Sequence, residues 1–356
     1  QEHDLKSIYK EELPAPSSEG AMLFQETCSP RHTLSDLNRH IPTEWSRMVD
    51  KMQSHLNDLK ELKQLTGREK ETLTKYLTKN TNFYHRVAEL KPQDFEIQYR
   101  VALLYLRANN LNEAQEHMRK AVSLTPDSGP AHLNLGAVLL MKGNREGGRK
   151  ELLAALRLDP ELTKAYHNLG VLDAEDGRFE EAEERFKKAI TMDPSHQTSY
   201  VRLGNLYVKQ SRFFVALKVL EHALMLNPDD PLVFFNLGLA YEGLGENERS
   251  LEAFRKTAEL SPSSAVVHYN LGTLLKKMGR PHEALRPLQE AIRLNPRFSD
   301  AFYNLAAVYA HLGDKGSAMK WLEKALRLNR ALASEARRDD DFQSLHSDAD
   351  FLALTQ

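Results

Sequence analysis

The sequence lacks several features that would place it in a common class. Of its 356 residues only Cys28 is a cysteine, so the chain can form neither an internal disulfide nor a thiolate zinc cage. No stretch approaches the roughly 20 consecutive apolar residues that a membrane-spanning helix needs. The 48 Lys and Arg are balanced by 50 Asp and Glu, which removes the electrostatic argument for nucleic acid. We therefore expect no membrane span and no nucleic-acid partner.

The compartment is not decided by these absences. The chain begins at Gln1 with no charged and then apolar leader, and a single cysteine is compatible with either a reducing or an oxidising environment. We expect a soluble protein that is either cytoplasmic or a mature exported chain without its leader.

Proline recurs at a fixed spacing of 34 residues along most of the chain. The series is Pro92, Pro126, Pro160, Pro194, Pro228, Pro262 and Pro296. A fixed period of this length indicates helix-turn-helix units that stack along one dimension. The length of the chain therefore does not imply several globular domains.

Other residue types keep the same period. If each unit begins three residues after its proline, seven units start at Phe95, Gly129, Thr163, Gln197, Pro231, Ala265 and Ser299. A small residue follows an apolar one at positions seven and eight, where it allows two helices to approach closely: Val101-Ala102, Leu135-Gly136, Leu169-Gly170, Leu203-Gly204, Leu237-Gly238, Leu271-Gly272 and Leu305-Ala306. The fifteenth position carries Gly143, Gly177, Gly245, Gly279 and Gly313. We expect these glycines to end the first helix of each unit in a left-handed conformation.

Over residues 95–330, about two thirds of the chain, this pattern resembles the tetratricopeptide repeat family. The resemblance implies an all-α fold, a right-handed superhelical solenoid of antiparallel helix pairs with seven units. Departures from the family pattern are few: Gly148 and Ser250 replace the usual alanine of the second helix, and Arg330 stands where the next proline would fall. Arg330 indicates that the array is ending.

The two ends of the chain differ from the repeats. Residues 1–42 are polar and contain a Pro- and Ser-rich stretch, which predicts a flexible segment. Apolar residues at helical spacing within 43–94 predict a helical hairpin that acts as a degenerate repeat and cap, or alternatively as a dimerisation seam or partner dock. Residues 331–356 are expected to form a capping half-repeat. We expect their acidic run, Asp339 to Asp341, to be a solvated turn.

Asparagine dominates the sixth position of the units. The seven residues there are Arg100, Asn134, Asn168, Arg202, Asn236, Asn270 and Asn304. An asparagine side chain offers a donor and an acceptor, which match the two polar groups of a peptide bond. The column resembles the asparagine ladder in the superhelical repeat region of O-linked N-acetylglucosamine transferase, whose residues grip substrate backbone. This resemblance implies a concave peptide-binding groove, which Arg202 interrupts.

Aromatic residues occupy the neighbouring fifth position in the last three units. Phe235, Tyr269 and Tyr303 are candidate anchors for ligand side chains, so we expect the best site between repeats five and seven. Two alternatives remain open: the asparagines bridge adjacent helices by hydrogen bonds, and the aromatic rings pack between helices.

No catalytic, cofactor or metal motif is present in the sequence. We therefore expect a non-enzymatic scaffold that binds a protein or peptide partner in its groove. The alternatives are a structural scaffold that self-associates through the N-terminal hairpin or the convex face, and a regulatory adaptor that positions a partner enzyme.

Overall fold

The structure is a computed structural model that describes Ala88 and residues 91–356. Every regular element in these residues is helical. The α-helices are α1 (Phe95–Arg107), α2 (Leu111–Leu124), α3 (Gly129–Met141), α4 (Arg145–Leu158), α5 (Thr163–Glu175), α6 (Phe179–Met192), α7 (Gln197–Lys209), α8 (Phe213–Leu226), α9 (Pro231–Gly243), α10 (Asn247–Leu260), α11 (Ala265–Lys277), α12 (Pro281–Leu294), α13 (Ser299–His311), α14 (Lys315–Leu328), α15 (Leu332–Ala336) and α16 (Ala349–Thr355), with a 3₁₀ helix η1 (Asp340–Leu345) before α16.

Helices of 13 and 14 residues alternate from α1 to α14. Each 13-residue first helix begins at the residue where the 34-residue period starts a unit. Side-chain caps support several of these starts, because an oxygen at the N-cap satisfies an otherwise unpaired backbone N–H. Asp94 accepts from the Ile97 N–H at 3.1 Å, and Ser128 accepts from the Ala131 N–H at 3.3 Å.

The turn after each first helix requires a left-handed residue at position fifteen. The five glycines predicted for this role have φ between 70° and 80°, which confirms the prediction. In the remaining two units the same position is held by Asn109 and Ser211, whose φ values are 56° and 57°. The geometry is thus a property of the position and persists without glycine.

Small residues at position eight bring the two helices of a unit together. A Cβ built on Gly204, Gly238 or Gly272 would lie only 2.5–2.6 Å from a side chain of the second helix, Leu220, Phe254 or Leu288 respectively. Such contacts are too short for real carbon atoms. The leucine or phenylalanine of the second helix therefore packs directly on the glycine backbone, as the small-residue pattern predicted.

The described chain divides into two compact units, one that ends at Leu172 and one from Asp173 to Gln356. In the first, Ala102, Met118, Ala131, Leu135 and Leu139 form one buried cluster. In the second, two buried clusters follow the helix pairs from α10 onward and include the following side chains: Leu251, Phe254, Leu274, Leu288, Leu305, Leu322 and Phe342.

The C-terminal residues depart from the repeat geometry. The period would start another first helix of 13 residues, but α15 has only five, from Leu332 to Ala336. The chain then enters η1, which packs on α13, and ends in α16. Phe342 and Phe351 are fully buried in the last core cluster.

The predicted flexible segment over 1–42 lies outside the residues that the structure describes. So does the predicted hairpin over 43–94, apart from Ala88 and residues 91–94. Self-association through that hairpin therefore stays a prediction.

Candidate functional site

Positions two, five, six, nine and thirteen share one face of each first helix, because residues three and four apart lie above one another. We call this surface the ladder face. The asparagines of position six belong to it, and four of them make the same contact. The side-chain amides of Asn134, Asn236, Asn270 and Asn304 each donate to the backbone carbonyl four residues earlier, at 2.7–3.1 Å. This bond fixes the side-chain orientation of all four.

In the compact part of the chain that ends at Leu172, Asn134 also connects two helices. Its amide donates to the Tyr99 hydroxyl of α1 at 2.8 Å as well as to the Pro130 carbonyl. The ring of Tyr99 stacks on Phe95 with centroids 5.5 Å apart, and burial raises the pKa of the Tyr99 hydroxyl. Both N–H groups of Asn134 are thereby used within the protein. Its amide oxygen is the group that it can offer to a ligand.

The other two sixth-position residues before Leu172, Arg100 and Asn168, differ from each other. Arg100 is partly buried and pairs with Glu96 of its own helix at 2.5 Å. Burial lowers the pKa of the Arg100 guanidinium. Asn168 is half-buried on α5.

In the compact part of the chain from Asp173 to Gln356, Arg202 is exposed on α7 and occupies the sixth position, where most repeats have asparagine. The next ladder residue, Asn236, is 4% exposed. Its amide oxygen accepts from Asn205, at position nine of α7, at 2.7 Å, and its nitrogen donates to the Leu232 carbonyl at 2.7 Å. Asn236 therefore joins α7 to α9 and offers little surface to a ligand.

Asn270 and Asn304 differ in accessibility. Asn270 is half-buried and donates one N–H to the Val266 carbonyl at 2.8 Å. Because an amide has two N–H groups and an oxygen, this leaves Asn270 with a donor and an acceptor. Asn304 is buried and donates to the Asp300 carbonyl at 3.1 Å and to the Tyr269 hydroxyl at 3.2 Å. Among the sixth-position residues after Asp173, Asn270 is the one whose remaining donor and acceptor best complement a peptide bond.

Phe235 and Tyr269, at position five, are half-buried. The Phe235 ring lies 5.7 Å from that of Phe254, and the Tyr269 ring lies 4.8 Å from that of Phe298. Burial raises the pKa of the Tyr269 hydroxyl, and the nearby Asp300 carboxylate raises it further. One part of each ring packs between helices, and the remainder is accessible on the ladder face.

Tyr303 does not fit the prediction that it is an exposed anchor. It is 5% exposed, its hydroxyl donates to Asp339 at 2.7 Å, and its ring meets Phe342 edge-on at 5.3 Å. Burial and the bond to Asp339 both raise the pKa of this hydroxyl. The prediction was wrong because the C-terminal segment of the same chain covers this ring.

The acidic run also differs from its prediction as a solvated turn. Asp339 caps η1 by accepting from the Asp341 N–H at 3.0 Å. The Asp341 carboxylate pairs with Lys276 and lies 3.5 Å from the His311 imidazole. The prediction failed because the partners are distant in sequence, on α11 and α13.

Sequence reasoning missed two apolar residues on the ladder face. Leu232 and Val266, at position two of repeats five and six, are 55% and 49% exposed. The other units carry mostly polar residues or proline there: Glu96, Pro130, Lys164, Thr198 and Asp300. A comparison of position two among the units would have found this difference. The two side chains lie one turn before Asn236 and Asn270, so they add apolar contact area beside Asn270.

Within Ala88 and residues 91–356, no cluster of three His, Cys, Asp or Glu side chains has the arrangement of a metal site. In the same residues, no helix combines the length and the apolar composition needed to cross a membrane.

Comparison with known families covers most of the helix pairs. Models described as tetratricopeptide repeat match residues 105–170 and 173–234, residues 232–264, and residues 269–338. The chain belongs to the tetratricopeptide repeat family. A search of curated proteins gave no match.

Solved structures of known proteins are similar to this chain. A tetratricopeptide repeat protein from Parabacteroides merdae superposes with a TM-score of 0.54 at 16% identity, over 73% of this chain and 98% of that one. The hetero-tetramer Cut9-Hcn1 of the APC/C gives a TM-score of 0.58 at 15% identity, over 97% of this chain and 72% of that one. YrrB, described as a tetratricopeptide repeat protein with an unusual peptide-binding site, is 26% identical, covering 53% of this chain and 98% of its own, with a TM-score of 0.44.

The first two likenesses show that the fold is that of tetratricopeptide repeat solenoids, as the sequence predicted. Proteins of this family are typically non-enzymatic interaction scaffolds. The repeats therefore support a protein-interaction scaffold, whose partners are proteins.

Proposed function

We propose that this chain is a non-enzymatic scaffold that binds an extended segment of a partner protein on the ladder face of repeats five and six. The observation that carries the proposal is the state of Asn270. Its orientation is fixed by the bond to the Val266 carbonyl, and it retains one N–H and its oxygen for a ligand. A peptide bond supplies the complementary pair.

Apolar surface beside Asn270 supports the same site. Leu232 and Val266 are about half exposed, and Phe235 and Tyr269 present part of their rings. A hydrogen-bonded amide contributes about 0.5–1.5 kcal/mol, which is less than the roughly 4 kcal/mol or more lost on association. Covering Leu232 and Val266 adds about 1 kcal/mol each. The apolar contacts are therefore needed for useful affinity.

A peptide selection tests this site directly. We would select ligands from a random 12-residue peptide library against the full chain and measure their affinities by isothermal titration. Asn270→Ala is expected to weaken the selected peptides about fivefold to tenfold, because one bidentate backbone contact is lost. The double change Leu232→Ser and Val266→Ser is expected to weaken them at least tenfold.

Two matched controls locate the effect. Met225→Ser removes an apolar side chain that is 78% exposed on the second helix of repeat four, and it should leave affinity unchanged. Asn168→Ala changes the same ladder position in repeat three and should also have no effect. Equal binding by wild type and by all variants of repeats five and six would contradict the proposal.

A further inference from the structure

The chain covers part of its own ladder face. We call residues 339–345 the return segment, because they follow the last repeat and pack back on its first helix, α13. The contact begins at Tyr303, the fifth-position residue of repeat seven. Its hydroxyl donates to the Asp339 carboxylate at 2.7 Å. A residue of the kind expected to hold a ligand therefore holds this segment.

A lysine and a histidine of the same face meet the second carboxylate. Lys276 occupies position twelve of repeat six, one turn beyond position nine and hence on the same face. Its ammonium group donates to Asp341, and the His311 imidazole, at position thirteen of repeat seven, lies 3.5 Å from that carboxylate. The Asp341 side chain is 22% exposed and that of Lys276 is 15% exposed, so the pair is largely shielded from water.

An aromatic side chain completes the contact. Phe342, directly after Asp341, is fully buried. Its ring meets the Tyr303 ring edge-on at 5.3 Å and lies 5.9 Å from the Phe351 ring. The return segment thus offers carboxylates followed by an aromatic ring, and the ladder face offers a hydroxyl, a lysine, a histidine and an aromatic ring.

We propose that the ladder face of repeats six and seven binds segments with an aspartate followed by an aromatic residue, and that the return segment is a built-in ligand which such a partner segment displaces. The inference rests on the proposed function, since it treats the same face as a peptide-binding surface. It adds the chemistry of the ligand and a device that controls access.

The return segment is covalently tethered to the face that it covers, which strengthens its competition with a free ligand. A tethered segment faces its site at an effective concentration in the millimolar range, so a free peptide with the same contacts competes poorly with it. A partner segment binds only if it makes further contacts, such as those with Val266 and Asn270 in the neighbouring exposed surface. Weakening the return segment should therefore open the face to a free peptide.

The test uses a fluorescein-labelled synthetic peptide with the sequence of residues 337–347, titrated with the full chain by fluorescence anisotropy. The release variant carries Asp339→Asn and Asp341→Asn, which remove both carboxylates while asparagine keeps the side-chain volume and the capping ability of Asp339. We expect this variant to bind the peptide at least tenfold more tightly than wild type. A second release variant, Phe342→Ala, should do the same.

A further variant checks the site. Adding Lys276→Met to the double asparagine variant should reduce peptide affinity at least fivefold, because the peptide loses the cation that its aspartate meets. Far-UV circular dichroism confirms that each variant keeps its helical content. If folded release variants bind the peptide no more tightly than wild type, the return segment is a structural cap only and the inference is wrong.

The outcome is distinguishable from failure of the proposed function. The peptide of residues 337–347 reports on Lys276 and Tyr303, whereas the library peptides report on Asn270, Leu232 and Val266. Loss of the Asn270 effect with retained binding of the release variants would contradict the site in repeats five and six alone.

Discussion

At the scale of single residues, three of the ladder asparagines form hydrogen bonds that connect helices of the protein itself. Asn134, Asn236 and Asn304 each bond to a side chain on a neighbouring first helix. The alternative that asparagines bridge adjacent helices therefore describes these three. Changing Asn236 or Asn304 to alanine removes a buried bond between repeats, so such variants report on stability rather than on ligand binding.

A second bridge between helices gives a prediction about pH. Glu183 of α6 accepts hydrogen bonds from Lys187 at 2.7 Å, from Arg212 at 2.6 Å and from Tyr207 at 2.9 Å. Burial raises the pKa of the Glu183 carboxyl, but these three bonds outweigh that effect and hold its pKa at about 2. Because the folded pKa is depressed, the stabilisation is fully present above the unfolded value of about 4.3 and is lost as pH falls towards 2.

We expect Glu183→Gln to lower the free energy of unfolding by about 1–2 kcal/mol at pH 7. The difference from wild type should shrink below pH 4 and vanish near pH 2, as followed by urea denaturation across this range. Glu290→Gln is the control, since Glu290 pairs with Arg293 at the surface and exposed pairs contribute little. A pH-independent effect of Glu183→Gln would show that the charge is not responsible.

At the scale of the elements, the left-handed turn defines the repeat. Ser211 has φ of 57° at a position where five other units have glycine. A non-glycine residue in this conformation is strained by about 1–2 kcal/mol, partly offset by the greater chain entropy of glycine.

Ser211→Gly is therefore expected to stabilise the protein by about 0.5–1 kcal/mol. Gly279→Ala should destabilise it by a similar amount, because φ is 70° and a Cβ there meets no atom within 4 Å, so that only backbone strain changes. Thermal denaturation with circular dichroism measures both melting temperatures. Shifts of the same sign for the two variants would contradict this explanation.

The elements also show how far sequence reasoning extends. The period predicts the seven first-helix starts, the left-handed glycines and the close packing of the second helix on the position-eight glycines, since each depends on local spacing that the sequence displays. The return segment has no period, and the partners of Asp339 and Asp341 lie 36 and 65 residues away. Neither the burial of Tyr303 nor the pairing of Lys276 follows from a local pattern.

At the scale of the whole molecule, the ladder face is exposed at some repeats and covered by the chain itself at another. At repeats five and six the ladder face exposes Leu232, Val266 and part of Asn270. At repeat seven it is covered by the return segment at Tyr303. We therefore propose that partner segments bind at repeats five and six, the two repeats before the covered one.

The central claim is most directly tested by hydrogen exchange of the full chain with and without a selected library peptide. We expect slower amide exchange on peptide binding in α9 and α11, which carry the ladder face of repeats five and six, and unchanged exchange in the second helices α10 and α12. Protection confined to α10 and α12 would contradict the account.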